Sequence, residues 1–156
     1  MPVSGGPYLV ATFLCEKVLQ ERDGVISFIR VVDRWNVVGP TQTMSPTIIQ
    51  ATLVALFKSG TLRASAQLTV TPISPTGQRM QPITLPILFE GDDERGGGTA
   101  LPMGFPVQEP GLYWFEVAVT VQGGEPSVMT YIPMRVVYLQ TGSMMPPTNP
   151  PPSLGG

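Results

Sequence analysis

The 156-residue chain contains no histidine, and Cys15 is its only cysteine. The usual zinc and copper ligand sets are built from those two residue types, so they cannot be assembled within the chain. A Ser-His-Asp or Cys-His nucleophile is excluded for the same reason. One thiol cannot close an intramolecular disulfide, so nothing demands an oxidising compartment. Charge is scarce as well. Charged residues make up 13% of the chain, roughly half the share of an average soluble domain. Lys17 and Lys58 are the only lysines, the seven arginines are scattered, and the net charge is −2. Nucleic acid binding needs a concentrated basic face, so no nucleic-acid partner is expected. No segment offers the roughly 20 continuous apolar residues that a helix needs to cross a bilayer, so no membrane partner is expected either. The opening Met-Pro-Val-Ser-Gly-Gly-Pro-Tyr has no positive region ahead of an apolar run, which argues against a secretory signal. The expectation is a cytoplasmic protein with no cofactor. Acid–base chemistry is left to carboxylates alone, and an enzyme is not expected.

What the chain does have is alternation. In Gly111–Val121, residues Tyr113, Phe115, Val117, Val119 and Val121 alternate with Trp114, Glu116, Ala118 and Thr120. Successive strand residues point to opposite faces, so this pattern means one buried and one outer face. Val128–Tyr138 reads as its hairpin partner. Tyr8–Val18 is a first strand with Leu9, Ala11, Phe13 and Cys15 on one face. Asp23-Gly24 supplies the positive φ of a tight return. Val25–Trp35 is apolar on both faces and is expected in the centre of a sheet. Asn36–Pro46 reads as a crossing loop.

Thr47–Lys58 fits a helix capped near Ser45-Pro46 and ended by Gly60, or a strand. Its Thr, Ile and Val content favours the strand. Leu62–Thr71 alternates cleanly, and Pro75-Thr-Gly77 is a turn. Ile83–Phe89 and Leu101–Val107 carry Pro82, Pro86, Pro102 and Pro106. Proline cannot donate to a ladder, so both are expected at sheet edges. The segment 141–156 is rich in proline and glycine and uncharged, and reads as a disordered or extended tail behind a domain of residues 1–140. Together these signals predict an all-β antiparallel sandwich of about seven to eight strands. Phe13, Leu68, Phe115 and Val117 are expected in one core.

Glu16, Lys17, Arg30, Asp33 and Arg34 gather near one end of the first hairpin. They could form a small anion or catalytic pocket, and the plainer reading is cross-strand ion pairs on a solvated face. Asp92, Asp93 and Glu94 lack the alternating spacing of a calcium loop and Arg95 opposes them, so calcium is not expected. Cys15 reads as a small core residue rather than a reactive thiol. Pro147-Thr-Asn-Pro150 has Pro-x-x-Pro spacing without the flanking arginine that would orient it. The outer face of the last hairpin is apolar for a solvated surface. It carries Trp114 and Ala118 on one strand and Met129, Tyr131, Arg135, Val137 and Leu139 on the other. If Val121 pairs with Val128, Trp114 lies opposite Arg135 and Tyr131 opposite Ala118. Exposed Trp, Tyr, Met and Arg are the residue types of contact surfaces. A loop or the proline-rich tail is the other candidate to cover this face.

Several of these elements occur as an ordered set. Leu14-Cys15-Glu16, Asp23-Gly24, Ile29–Arg34, Pro75-Thr-Gly77, Glu109–Val117 and Ile132–Val136 together resemble a family of uncharacterised bacterial immunoglobulin-like β-sandwich proteins of about this length. The resemblance spans most of the chain outside the glycine-rich loop and the tail. It implies an immunoglobulin-like fold and carries no activity or site. Trp114 and the tail depart from the family pattern. The expected function is a non-catalytic structural or protein–protein interaction module that includes self-association. The alternative is a sandwich that binds a small ligand or carbohydrate on exposed aromatics.

Overall fold

The computed structural model describes residues 5–92, 94 and 97–142. Nearly all of the 141–156 tail, including Pro147–Pro150, and Asp93 of the acidic loop lie outside the described residues. Within them the chain is all-β, with nine strands and no helix. The strands are β1 (Tyr8–Gln20), β2 (Ile26–Val31), β3 (Arg34–Gly39), β4 (Thr47–Lys58), β5 (Arg63–Ile73), β6 (Ile83–Glu90), β7 (Gly97–Val107), β8 (Gly111–Val121) and β9 (Ser127–Gln140). One sheet runs β2-β1-β4-β7 and the other β3-β9-β8-β5-β6. The five-stranded sheet curls into a half-barrel.

The inner faces of the two sheets share one core. Ile49, Leu53 and Phe57 of β4 and Phe105 of β7 meet Leu68, Val70, Phe115, Val117 and Met134 of the other sheet. Phe105 packs edge to face on Phe115 with ring centroids 4.9 Å apart. Thr47–Lys58 is a strand, and its ladders with β1 and β7 make it central. The proline-bearing strands β6 and β7 are both edges. Glu21–Val25 closes the first hairpin. The Gly24 amide donates to the Glu21 carbonyl at 3.0 Å, the Glu21 amide donates to the Val25 carbonyl at 2.8 Å, and Gly24 takes φ 85°.

Three expectations need correction. Val25–Trp35 is not one central strand. It is the edge strand β2 followed by β3, and only Val32 and Asp33 separate them. The Val32 amide donates to Leu14 of β1, and the Asp33 carbonyl accepts from the Arg135 amide of β9. The chain therefore changes sheets within two residues. The supposed loop after Trp35 continues as β3, parallel to β9. Most apolar residues of this edge are left outside: Val25 and, in β2, Ile26, Ile29 and Val31 are exposed.

Phe13 is not in the main core. The β1–β4 register shifts between Leu9 and Ala11, with Val10 bulged out and 56% exposed. One inserted residue turns every later side chain to the opposite face. Leu9 thus packs on the core, and beyond the bulge Leu14 does so in place of Phe13. Phe13 instead meets Phe28 edge to face at 4.9 Å.

The last hairpin is offset by two residues at Trp114, which lies opposite Pro133, and Glu116 lies opposite Tyr131. Val121 ends β8, paired with Ala66 of β5 rather than with Val128, and its carbonyl accepts the Gly124 amide at 2.8 Å. A second shift between Val117 and Ala118 inserts Met129. An even slip preserves faces, so Trp114 and Tyr131 remain outside as expected.

Candidate functional site

The outer face of the five-stranded sheet is built on β8. Tyr113, Phe115 and Val117 are buried, which leaves Leu112, Trp114 and Glu116 on the other side. In β5, Ile73 lies opposite Trp114 and Thr71 opposite Glu116. The Ser74–Gln78 turn then reverses the chain. The Gly77 amide donates to the Ser74 carbonyl at 2.9 Å, and Gly77 takes φ 85°, which favours glycine there. The reversal sets Arg79 beside Ile73 in a short bridge.

From there Arg79 grips Glu116 with both guanidinium nitrogens. Nη2 donates to Oε1 at 2.7 Å and Nη1 to Oε2 at 3.1 Å. The Tyr131 hydroxyl donates to the same Oε2 at 3.1 Å. The Glu116 side chain is only 12% exposed. Its carboxyl is held below the ordinary range, chiefly by the Arg79 hydrogen bond, against burial that pushes the other way. The Tyr131 phenol is raised, mainly because its proton is held by Glu116. A planar fork on a carboxylate fixes both partners in orientation. The lock thereby fixes the Tyr131 hydroxyl on the outer face, diagonally across the ladder from Trp114.

Trp114 is 38% exposed and Tyr131 is 49% exposed, and Val128, opposite Ala118, is exposed beside them. Of the expected contact residues, Trp114, Tyr131 and Arg135 are exposed. Met129 is not available, because the bulge packs it against the core. Ala118 is buried at the foot of the lock. Arg135 lies opposite Leu112 and beside Arg34 across the parallel β3–β9 ladder. The lock itself was not singled out from sequence. Its signal was a lone carboxylate in mid-strand on the outer face of a charge-poor chain.

The polar cluster of the first hairpin is only partly assembled. Glu16 and Arg30 form an exposed ion pair at 3.2 Å. The change of sheets places Arg34 in β3, opposite Arg135 of β9, and still on the rim of the same depression as Glu16 and Arg30. That depression is shallow, about 250 Å³, and Val32, Trp35 and Asn36 complete its lining. Cys15 is fully buried, and burial raises its thiol. In the acidic loop Asp92 Oδ1 accepts the Glu94 amide at 2.9 Å. Among the described residues no group of three His, Cys, Asp or Glu side chains is placed to hold a metal ion. No helix among them is long and apolar enough to cross a membrane.

A comparison with protein-family models finds none that matches this chain, and no curated protein sequence matches it.

Proposed function

We propose that this chain is a non-catalytic interaction module, an immunoglobulin-like β-sandwich that binds a protein partner through the outer face of its five-stranded sheet. Two features support the fold reading. The strand order β9-β8-β5-β6 against β1-β4-β7 follows G-F-C-C′ against A-B-E of that fold. Tyr113, two residues before the buried Phe115, donates its hydroxyl to the Glu109 carbonyl at 2.9 Å. This is the corner that such sandwiches use at the entry to strand F. The resemblance to the bacterial immunoglobulin-like family points the same way.

The observation that carries the functional reading is the exposure of Trp114 and Tyr131 on one face, diagonal neighbours across the ladder, with Tyr131 tied to the Arg79–Glu116 lock. A rigid aromatic patch loses little side-chain entropy on binding, and Trp, Tyr and Arg dominate interface energetics. The test places a photo-crosslinking residue at position 114 and, separately, at Leu88, which is 61% exposed on the far edge. The expected result is one discrete protein adduct from position 114 in cells, absent from position 88. That adduct should be lost when Tyr131→Ala is added. Equal adducts from both positions, or none from position 114, would sink the reading.

A further inference from the structure

The nine strands leave four edges, and they are not alike. On one side β6 carries Pro86 and β7 carries Pro102 and Pro106. Each proline removes a donor and stops a ladder from growing. On the other side, Val25–Val38 contains no proline, and β2 is paired only with β1. Its exposed side chains are Val25 at 58%, Ile26 at 49%, Ile29 at 41% and Val31 at 63%.

The direction of the free backbone groups follows from the hairpin. The Val25 carbonyl accepts from Glu21, the residue that follows β1. Alternate residues of an antiparallel strand turn their amide and carbonyl to the same neighbour, so Ser27 and Ile29 also face β1. The amides and carbonyls of Ile26 and Phe28 then face outward. Beyond them the ladder skips Glu16 and Arg30, where Arg30 takes φ 57°. The regular free edge is therefore Val25–Ile29.

We propose that a second copy of this chain adds to that edge, β2 against β2 about a two-fold axis. The sequence of the edge is complementary to itself in one register. With Ser27 on the axis, Ile26 lies opposite Phe28 of the second copy and Val25 opposite its Ile29. Every apolar side chain meets an apolar one, the two Ser27 side chains, each donating its hydroxyl to Glu21 of its own copy at 3.0 Å, lie side by side at the axis, and the outward groups of Ile26 and Phe28 bond in pairs. A shift of two residues toward the carboxyl end sets Arg30 against Ile26. A shift of two the other way sets Gly24 against Phe28 and Asp23 against Ile29. Phe28 is already held edge to face by Phe13. The two copies would form one eight-stranded sheet, which is an isologous contact that closes on itself. This edge is on the other sheet from Trp114, so the inference does not depend on the function proposed above.

The test is sedimentation of the full chain, wild type against Ile26→Pro and Trp114→Ala. Proline at position 26 removes an outward amide and leaves the bonds to β1 intact. By symmetry the dimer loses two hydrogen bonds, so the dissociation constant should rise by about thirty-fold or more, with the circular dichroism unchanged. Trp114→Ala should sediment as the wild type does. Amide exchange on the wild type is the second readout, should the proline variant not fold. Ile26 and Phe28 should exchange more slowly as protein concentration rises, while amides of β6 do not change. A wild type that stays monomeric at high concentration, an Ile26→Pro variant that dimerises as tightly as the wild type, or exchange at Ile26 and Phe28 that ignores concentration would each overturn the proposal.

Discussion

Phe115→Ala is the sharpest probe of how the two sheets are joined. Phe115 is fully buried, lies between Pro72 and Ile132 on the neighbouring strands, and meets Phe105 of the opposite sheet at 4.9 Å. Truncating a buried phenylalanine costs about 3–5 kcal/mol, through lost transfer energy and the cavity left behind. Where in that range the cost falls depends on whether the site can collapse. Pro72 is rigid and held in its ladder. Met134, also fully buried in the same core, is flexible enough to lean into part of the space. The expected loss is therefore about 3–4 kcal/mol. Part of it belongs to the pair of rings. Phe105→Ala alone, and with Phe115→Ala, completes a cycle whose coupling should be about 0.5–1.5 kcal/mol. Equilibrium unfolding in urea reads all three losses, provided the denaturant slope stays constant. A single-mutant loss below about 1 kcal/mol, or losses that add within about 0.3 kcal/mol, would mean that the sheets do not meet at these rings.

Other expectations follow from hydrogen bonds and charge. Glu116 has a depressed carboxyl, so its contribution to stability is present above the unfolded value and is lost as pH falls through the folded one. Glu116→Gln should flatten the acid limb of the stability curve, and an acid limb as steep as that of wild type would show the lock to be energetically idle. Tyr113→Phe removes one buried hydroxyl bond whose acceptor, Glu109, is exposed and can be rehydrated. Thermal and urea unfolding should show a loss of about 1 kcal/mol, and no measurable loss would refute the corner as a tie. Millimolar calcium should leave the melting midpoint where chelator leaves it. A rise of several degrees would expose an oxygen-ligand site at Asp92 and Glu94.

The strand content was legible because the signals were local. Alternation in Leu62–Thr71 and Gly111–Val121 and the prolines of β6 and β7 each specify a strand or an edge without reference to the rest of the chain. Thr47–Lys58 followed its β-branched residues into a strand. Two of the misplacements share one cause. Val10 and Met129 are bulges, and nothing in an alternating sequence marks where one residue is skipped. A skipped residue at Val10 moved Phe13 out of the main core, and one at Met129 took that side chain away from the outer face. The edge position of β2 was hidden because two-sided apolarity reads the same whether a strand is buried or left open. At the candidate site, Trp114 and Tyr131 were readable from parity alone. Arg79 was not, because its reach to Glu116 depends on a turn that brings β5 back on itself.

The crossing at Val32 and Asp33 also sets the order in which the molecule can be completed. β3 pairs with the last strand, and its flanking contacts join Thr41 to Tyr138 and Gly39 to Thr141, 97 and 102 residues apart. Made from its amino end, the chain produces β3 early and must wait for nearly all of the remainder before that strand has a neighbour. Contacts of such separation slow folding, because the loop must close before the pairing rewards it. At about 5–20 residues per second, β3 spends seconds as an open edge during synthesis. A nascent chain stalled before β9 should hold its β1–β2–β4 ladder and still be digested at Arg34, and it should become resistant there only once Gln140 has left the ribosome.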